Sequence, residues 1–209
     1  MSANDYVHKV LPGSPGGPLL FAFHGTGGDE NQFLGLAREL MPAATVVAPR
    51  GDVSEHGAAR FFRRTGEGVY DMDDLGRATT KMQGFVRAHV DAAKPSAVFG
   101  IGYSNGANIL ASVLFADPVL FDASVLMHPL IPFAPEVKGS LAGRRVLITA
   151  GRRDPICPPG LTSRLQDHLL AAGAGSTIDW HEGGHEIRTG EIEATQRFFA
   201  SAQKAGAAA

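Results

Sequence analysis

The sequence predicts an α/β protein with a mostly parallel central sheet and helices on both faces. Three observations predict it. Short apolar runs alternate with longer segments of helical period along the whole chain. The runs carry Val, Ile, Leu and Phe with little polar alternation, as strands buried on both faces do. The 209 residues hold 44% hydrophobic and 19% charged side chains, which is a globular chain of one domain's length and not a disordered one.

The strands are expected at Leu19–Phe23, Thr45–Ala48, Ala97–Ile101, Ala123–Met127, Arg145–Thr149 and Thr177–Trp180, each a compact apolar run. Helices are expected between and after them. Asn31–Leu40 places Phe33, Leu34, Leu36, Ala37 and Leu40 on one side. Asp71–Val90 does the same with Met72, Leu75, Met82, Phe85 and Val86, and Asn105–Phe115 with Ile109, Leu110, Val113 and Leu114. Leu161–Leu170 and Glu191–Phe199 complete the set. The whole of 1–209 reads as a single domain, with about 1–5 and 204–209 expected to fray.

Composition excludes several function classes. Lys plus Arg is 19 and Asp plus Glu is 21, so nothing draws the chain electrostatically to nucleic acid or an anionic membrane. No apolar stretch is long enough for membrane insertion, and the start shows no basic segment followed by an apolar run, so a cytoplasmic protein is expected. One cysteine, Cys157, leaves no disulfide framework and no multi-cysteine metal site. A homodimer is compatible with this reading.

In parallel sheets of this kind, sites form at the carboxyl ends of the strands. After the run ending at Ile101 comes Gly102-Tyr103-Ser104-Asn105-Gly106, a G-x-S-x-G between strand and helix. That order places a serine hydroxyl on a sharp turn above the sheet. A serine needs a base, and the base needs an orienting acid. Asp154 follows the run ending at Thr149, and His185 follows the run ending at Trp180 after two glycines, Gly183 and Gly184. The chain order Ser104, Asp154, His185 is the one this topology requires. His181, at the strand end itself, is the rival base, and His128 precedes the acid and is expected to line the site floor or to satisfy backbone groups. An oxyanion hole needs two convergent amides. Asn105, at the head of the helix, supplies one; the other is expected from the loop His24-Gly-Thr-Gly-Gly28, at Thr26. The spacing of Gly25, Gly27 and Gly28 does not fit a dinucleotide-binding G-x-G-x-x-G.

Together, His24-Gly-Thr-Gly-Gly28, Gly102-Tyr-Ser-Asn-Gly106, Gly151-Arg-Arg-Asp154-Pro-Ile-Cys-Pro158 and Gly184-His185 resemble the phospholipase/carboxylesterase family of α/β-hydrolases. The resemblance runs from about Leu19 to Phe199. It implies an α/β-hydrolase fold, Ser104, Asp154 and His185 as the triad, Thr26 and Asn105 as the oxyanion amides, and no cofactor. Thr26 stands where the carboxylesterases carry Leu, and Asn105 where many relatives carry Gln or Met. The Thr-Gly-Gly-Asp-Glu form and His128-Pro129 look closer to the branch associated with hydroquinone and quinone resistance.

The partner this implies is a small-molecule ester. A thioesterase or lysophospholipase-type activity is the enzyme alternative, and a non-catalytic small-molecule receptor on the same fold is the alternative from another class. About 17 residues join the run ending at Met127 to the one starting at Arg145, too few and too proline-rich for a lid domain. The connection from Pro49 to Tyr70 is the expected pocket wall, with Phe61 or Phe62 facing substrate or else anchoring the loop. Gly27, His128 and Ile156 complete the expected pocket. Arg60, Arg63 and Arg64 are expected on solvated surface, the alternative being contact with an acidic group of the substrate. No metal is expected, although His181, Glu182 and His185 superficially resemble a ligand cluster.

Overall fold

The computed structural model describes residues 2–206. Its centre is a seven-stranded sheet. The strands are β1 (His8–Leu11), β2 (Leu19–Phe23), β3 (Thr45–Pro49), β8 (Val98–Tyr103), β9 (Ala123–Met127), β10 (Arg145–Gly151) and β11 (Gly175–His181). Their order across the sheet is β1-β3-β2-β8-β9-β10-β11. Only β1 runs antiparallel, against β3; every other pairing is parallel. Four short strands make two hairpins between β3 and β8: β4 (Val53–Glu55) with β5 (Ala58–Arg60), and β6 (Arg64–Gly66) with β7 (Val69–Tyr70).

Helices cover both faces. On one lie α2 (Met72–Ala93), α3 (Asn105–Ala116) and α4 (Pro159–Ala171), which bury Leu75, Met82, Phe85, Ile109, Leu110, Leu165 and Leu169 against Phe21, Phe23 and Ile148. On the other lie α1 (Leu34–Leu40) and α5 (Thr189–Gly206), which bury Ala37, Leu40, Ala194 and Phe199 against Leu20, Val46, Phe99 and Val125. Each sheet face thus has its own apolar core, which is why β2 and β9 are buried at every residue.

The chain leaves β2 towards β3 on one side and later returns to β8 on the other. Such a reversal of strand order opens a crevice at the carboxyl ends of β2 and β8. The loops carrying Thr26 and Ser104 flank that crevice.

The described ends carry some structure. Residues 2–5 form a turn in which the Ser2 amide donates to Asp5 Oδ2 at 2.8 Å, and α5 continues through Gly206. Met1 and residues 207–209 lie outside the described residues. The connection from β9 to β10 holds neither helix nor strand, as its length and prolines predict. No described helix is long and apolar enough to cross a membrane.

Candidate active site

Strand β8 ends at Tyr103 and α3 begins at Asn105, so Ser104 alone makes the turn. Its φ of 52° and ψ of −116° fall in a region that side chains rarely adopt. Such a conformation costs about 1–3 kcal/mol and persists only where its surroundings fix it. Here the Ser104 amide donates to the Met127 carbonyl at 2.9 Å. The flanking glycines are required by contact. A Cβ on Gly106 would strike the carbonyls of Phe23 and His24, and one on Gly102 would strike Gly106 itself.

The hydroxyl meets a histidine. Ser104 Oγ lies 3.0 Å from His185 Nε2, and His185 Nδ1 lies 2.7 Å from Asp154 Oδ2. Asp154 is buried, and its other oxygen accepts the amides of Ile156 at 2.8 Å and Cys157 at 2.9 Å. Burial alone would raise the Asp154 pKa. The Cys157 and Ile156 amides and the two imidazoles on the carboxylate outweigh it and hold the group below the ordinary aspartate range. The histidine loop is tied down by the Tyr103 hydroxyl, which donates to the His185 carbonyl at 2.8 Å. The expected bend at Gly183 and Gly184 uses no left-handed residue. The small residue needed there is Gly151, whose Cβ would collide with the carbonyls of both. His181 does not reach the serine; its Nδ1 accepts the Gly183 amide at 2.9 Å.

Thr26 and Asn105 both line the cleft beside Ser104. Among the described residues, neither backbone amide has a hydrogen-bond partner. Their side chains are engaged elsewhere. Arg60 Nη1 donates to Thr26 Oγ1 at 2.7 Å, and Asn105 Oδ1 accepts the Phe61 amide at 2.8 Å. The Gly27 amide donates to the Ala59 carbonyl at 3.0 Å. The segment 59–61 thus clamps the loop after β2 to the head of α3, with the two free amides between them.

Four expected pocket residues fall outside the cleft lining. Phe61 and Phe62 are fully buried and do not line the cleft. The Phe61 ring packs on Phe23 and His24, and the Phe62 ring on Tyr70. The local chain uses Phe61 through its amide, and its ring anchors the segment. Gly27, at φ 81°, turns its loop and is not part of the wall. His128 is fully buried beneath Asp154, outside the cleft. Ile156 does line it. Arg60 is also misplaced by the sequence. It is 3% exposed and forms cleft wall, together with Arg64, Glu67 and Tyr70 from the two hairpins. The cleft measures about 250 Å³ and is closed on its remaining side by Asn108, Leu130 and Cys157. Asn108 holds that side together: it donates to Tyr70 Oη at 2.8 Å and accepts the Leu130 amide at 2.7 Å.

One group of side chains suggests a metal at first sight. Ligand atoms of His128, His181 and Glu191 lie within 4.8 Å of one another. The donor set does not fit. His181 Nδ1 accepts an amide proton, so its Nε2 carries the ring proton and has no lone pair for a metal. That Nε2 instead faces Glu191 Oε2 at 3.2 Å. Sequence reasoning missed Glu191 altogether.

No family model matches the chain. It is 36% identical over 186 residues to the protein named "Putative hydrolase MhqD" of Bacillus subtilis (strain 168), across 88% of this chain and 93% of that one. Among solved structures, the protein Atu2452 of unknown function from Agrobacterium tumefaciens str. C58 is 58% identical with a TM-score of 0.92, covering 96% of this chain and 98% of its own. The Bacillus cereus carboxylesterase is 37% identical with a TM-score of 0.90, covering 94% of each chain. A parallel sheet reversed at β2 and β8, a serine on the strand-to-helix turn and relatives this similar over nearly full length lead to one conclusion: the chain belongs to the phospholipase/carboxylesterase family of α/β-hydrolases.

Proposed function

We propose that the protein is a serine carboxylesterase that hydrolyses small soluble esters, short-chain or aryl, through an acyl-enzyme. Hydrolysis of an ester is the activity for which the Bacillus cereus relative is named. The single observation that carries the serine mechanism is the line Ser104 Oγ, His185 Nε2, His185 Nδ1, Asp154 Oδ2, with contacts of 3.0 and 2.7 Å, beside two unpaired amides.

In this reading each residue has one step. His185 Nε2 takes the Ser104 proton as Oγ attacks the ester carbonyl. Asp154, pinned by the Ile156 and Cys157 amides, keeps the proton on Nδ1 and stabilises the imidazolium that forms. The carbonyl oxygen becomes an oxyanion between the Thr26 and Asn105 amides, the latter at the positive end of α3. His185 then returns its proton to the departing alcohol. A water molecule repeats the sequence on the acyl-enzyme and releases the acid.

Cys157 is not a competing nucleophile. Its Sγ sits 3.8 Å from Nδ1, the nitrogen that Asp154 already occupies, and burial pushes its thiol far from ionisation. A cleft of about 250 Å³ suits a short acyl or a single aryl group and not a long chain.

The test is covalent. A fluorophosphonate is expected to label Ser104 and no other serine, read by peptide mass spectrometry, and a p-nitrophenyl ester to give a burst of one phenolate per chain. Ser104→Ala is expected to abolish both while leaving the circular dichroism unchanged. Turnover by a folded Ser104→Ala variant at near wild-type rate refutes the proposal.

A further inference from the structure

Behind Asp154 lies a second set of ionisable groups that the reaction above does not use. His128 is fully buried. Its Nδ1 lies 3.0 Å from Asp154 Oδ2, the same oxygen that meets His185. Its Nε2 lies 3.0 Å from Glu191 Oε1, an ion-pair distance that falls short of hydrogen-bond geometry. Glu191 is buried as well, on α5, and belongs to neither the cleft nor the surface.

The surrounding bonds fix the charge of each carboxylate. Asp154 Oδ1 accepts the Ile156 and Cys157 amides, and its Oδ2 stands against two imidazole nitrogens, of which His185 Nδ1 donates while Nε2 accepts from Ser104. Glu191 accepts Thr149 Oγ1 at 2.6 Å and the Arg188 amide at 2.7 Å, one on each oxygen, and the protonated His181 Nε2 stands 3.2 Å from Oε2 without hydrogen-bond geometry. A carboxyl group surrounded in this way accepts at both oxygens, so both are ionised. A bare lone pair on either nitrogen of His128 would then face a buried carboxylate oxygen at 3.0 Å, which is repulsive.

We infer that His128 is a buried imidazolium that donates one ring proton towards Asp154 and the other towards Glu191, and that it acts as a positioning residue for the catalytic acid. One cation between two anions explains how two carboxylates remain ionised with almost no solvent. The backbone at this position is held as well. His128 holds a φ of 49°, which an L side chain adopts reluctantly, and it is kept there by its amide on the Thr149 carbonyl at 2.8 Å and by Cys157 Sγ donating to its carbonyl at 3.2 Å. Burial by itself would favour neutral imidazole, but Glu191 and Asp154 outweigh it and raise the His128 pKa.

The consequence for catalysis rests on the esterase reading. The rings of His128 and His185 lie 5.2 Å apart, so a charge on the first opposes a second charge on the other. The fixed imidazolium therefore sets part of the electrostatic field in which the proton passes from Ser104 to His185. The remaining groups facing this pair are Tyr103, His181 and Cys157, with Glu186 next to His185 and held by Arg188. Tyr103 is pushed up to about 12 and the Cys157 thiol is raised too, so neither contributes charge near neutrality.

The test is nitrogen NMR of the wild-type protein labelled with 15N-histidine. His128→Asn supplies the assignment, because its spectrum lacks those signals and Asn tolerates the positive φ. Both His128 nitrogens are expected to be protonated at neutrality. One unprotonated His128 nitrogen at pH 7 overturns the inference. The measurement needs no substrate, so it stands or falls separately from the esterase reading, which fails if a folded protein turns over no ester. The second readout is the pH profile of kcat/KM. In His128→Asn the acid limb is expected to move up by about one pH unit, so that activity near pH 6 falls roughly tenfold more than activity near pH 8. A lower kcat on an unshifted limb assigns His128 to packing and overturns the positioning role. If the variant does not fold, the His128 signals are assigned in the wild-type protein by through-bond correlation of each ring to its own backbone, and that spectrum decides.

Discussion

Replacing Asp154 with Asn removes one proton acceptor without changing shape, and the structure fixes what the amide must do. The Asp154 Oδ1 position accepts two backbone amides, from Ile156 and Cys157. Only the carboxamide oxygen can stay there. The NH2 group must therefore take the Oδ2 position, where His185 Nδ1 stands at 2.7 Å and His128 Nδ1 at 3.0 Å. An NH2 is a donor, so His185 must turn its Nδ1 lone pair to it and carry its proton on Nε2. That nitrogen then donates towards Ser104 and cannot take the serine proton. For a serine enzyme, the wrong tautomer costs roughly 10⁴ in kcat, about 5.5 kcal/mol of barrier. The loss is expected to be smaller than that of Ser104→Ala or His185→Ala, because the acid never takes the proton itself. The same NH2 also faces the His128 imidazolium, donor against donor. Breaking one side of a buried ion pair costs about 3–5 kcal/mol, so the variant should also lose stability. The assay is kcat/KM on a soluble aryl ester beside urea unfolding of the same samples. A folded Asn variant within tenfold of wild type would refute the assignment of Asp154 as the orienting acid.

Three other perturbations separate parts of the argument. Phe61→Ala should cost about 3–5 kcal/mol of stability and leave the order of preference along an acyl chain-length series unchanged, because the ring fills core and not cleft; a selective rise in KM for bulky esters would restore the ring to the pocket. Stability should fall at both ends of the pH range: Asp154 and Glu191 sit below their ordinary values, so their contribution is present above about pH 4 and is lost as pH falls through their folded values, while His128 sits above its ordinary value, so its contribution is complete below about pH 6.5 and is lost as pH rises through its folded value. Urea midpoints of wild type and His128→Asn that run parallel from pH 6 to 9 would contradict the second half. With neither helix nor strand between β9 and β10 to cover the cleft, rates on a soluble ester should show no jump when substrate passes its solubility limit, measured as initial rate against concentration with and without emulsion.

The sheet was legible where burial left a chemical trace. β2, β8, β9 and β10 are runs of Val, Ile, Leu and Phe because helices cover both of their faces. β1 was not legible. As His8-Lys-Val-Leu11 it lies at the sheet edge, partly exposed along its length, and nothing in four such residues marks antiparallel pairing with β3. The four short strands from Val53 to Tyr70 are two or three residues each, below the length at which alternation can be read. The resemblance and the chain order together placed Ser104, Asp154 and His185 within contact of one another. The aromatic pair at Phe61 and Phe62 was ambiguous for a physical reason: sequence shows that a loop carries aromatics, but not whether it uses the ring or the amide.

Glu191 is the instructive omission. In α5 it shares a stripe with Ala194, Thr195, Phe199 and Ala202, all of them buried, at the i, i+3 and i+4 spacing of a core-facing side. A carboxylate on an apolar stripe cannot be solvated there, so it requires a buried partner of opposite charge. The described chain offers few histidines at strand ends, and His128 at the end of β9 is the one that β10 and the Asp154 loop bring within 3.0 Å. The signal was thus a helix position whose charge contradicts its period. It could raise the question of a partner from sequence, while the answer needed the register of β9 against β10 and the packing of α5 across them. That dependence is also why the two carboxylates differ in visibility. Asp154 sits in a loop whose motif names it, and Glu191 acts one imidazole further back, where only the three-dimensional fold connects it to the serine.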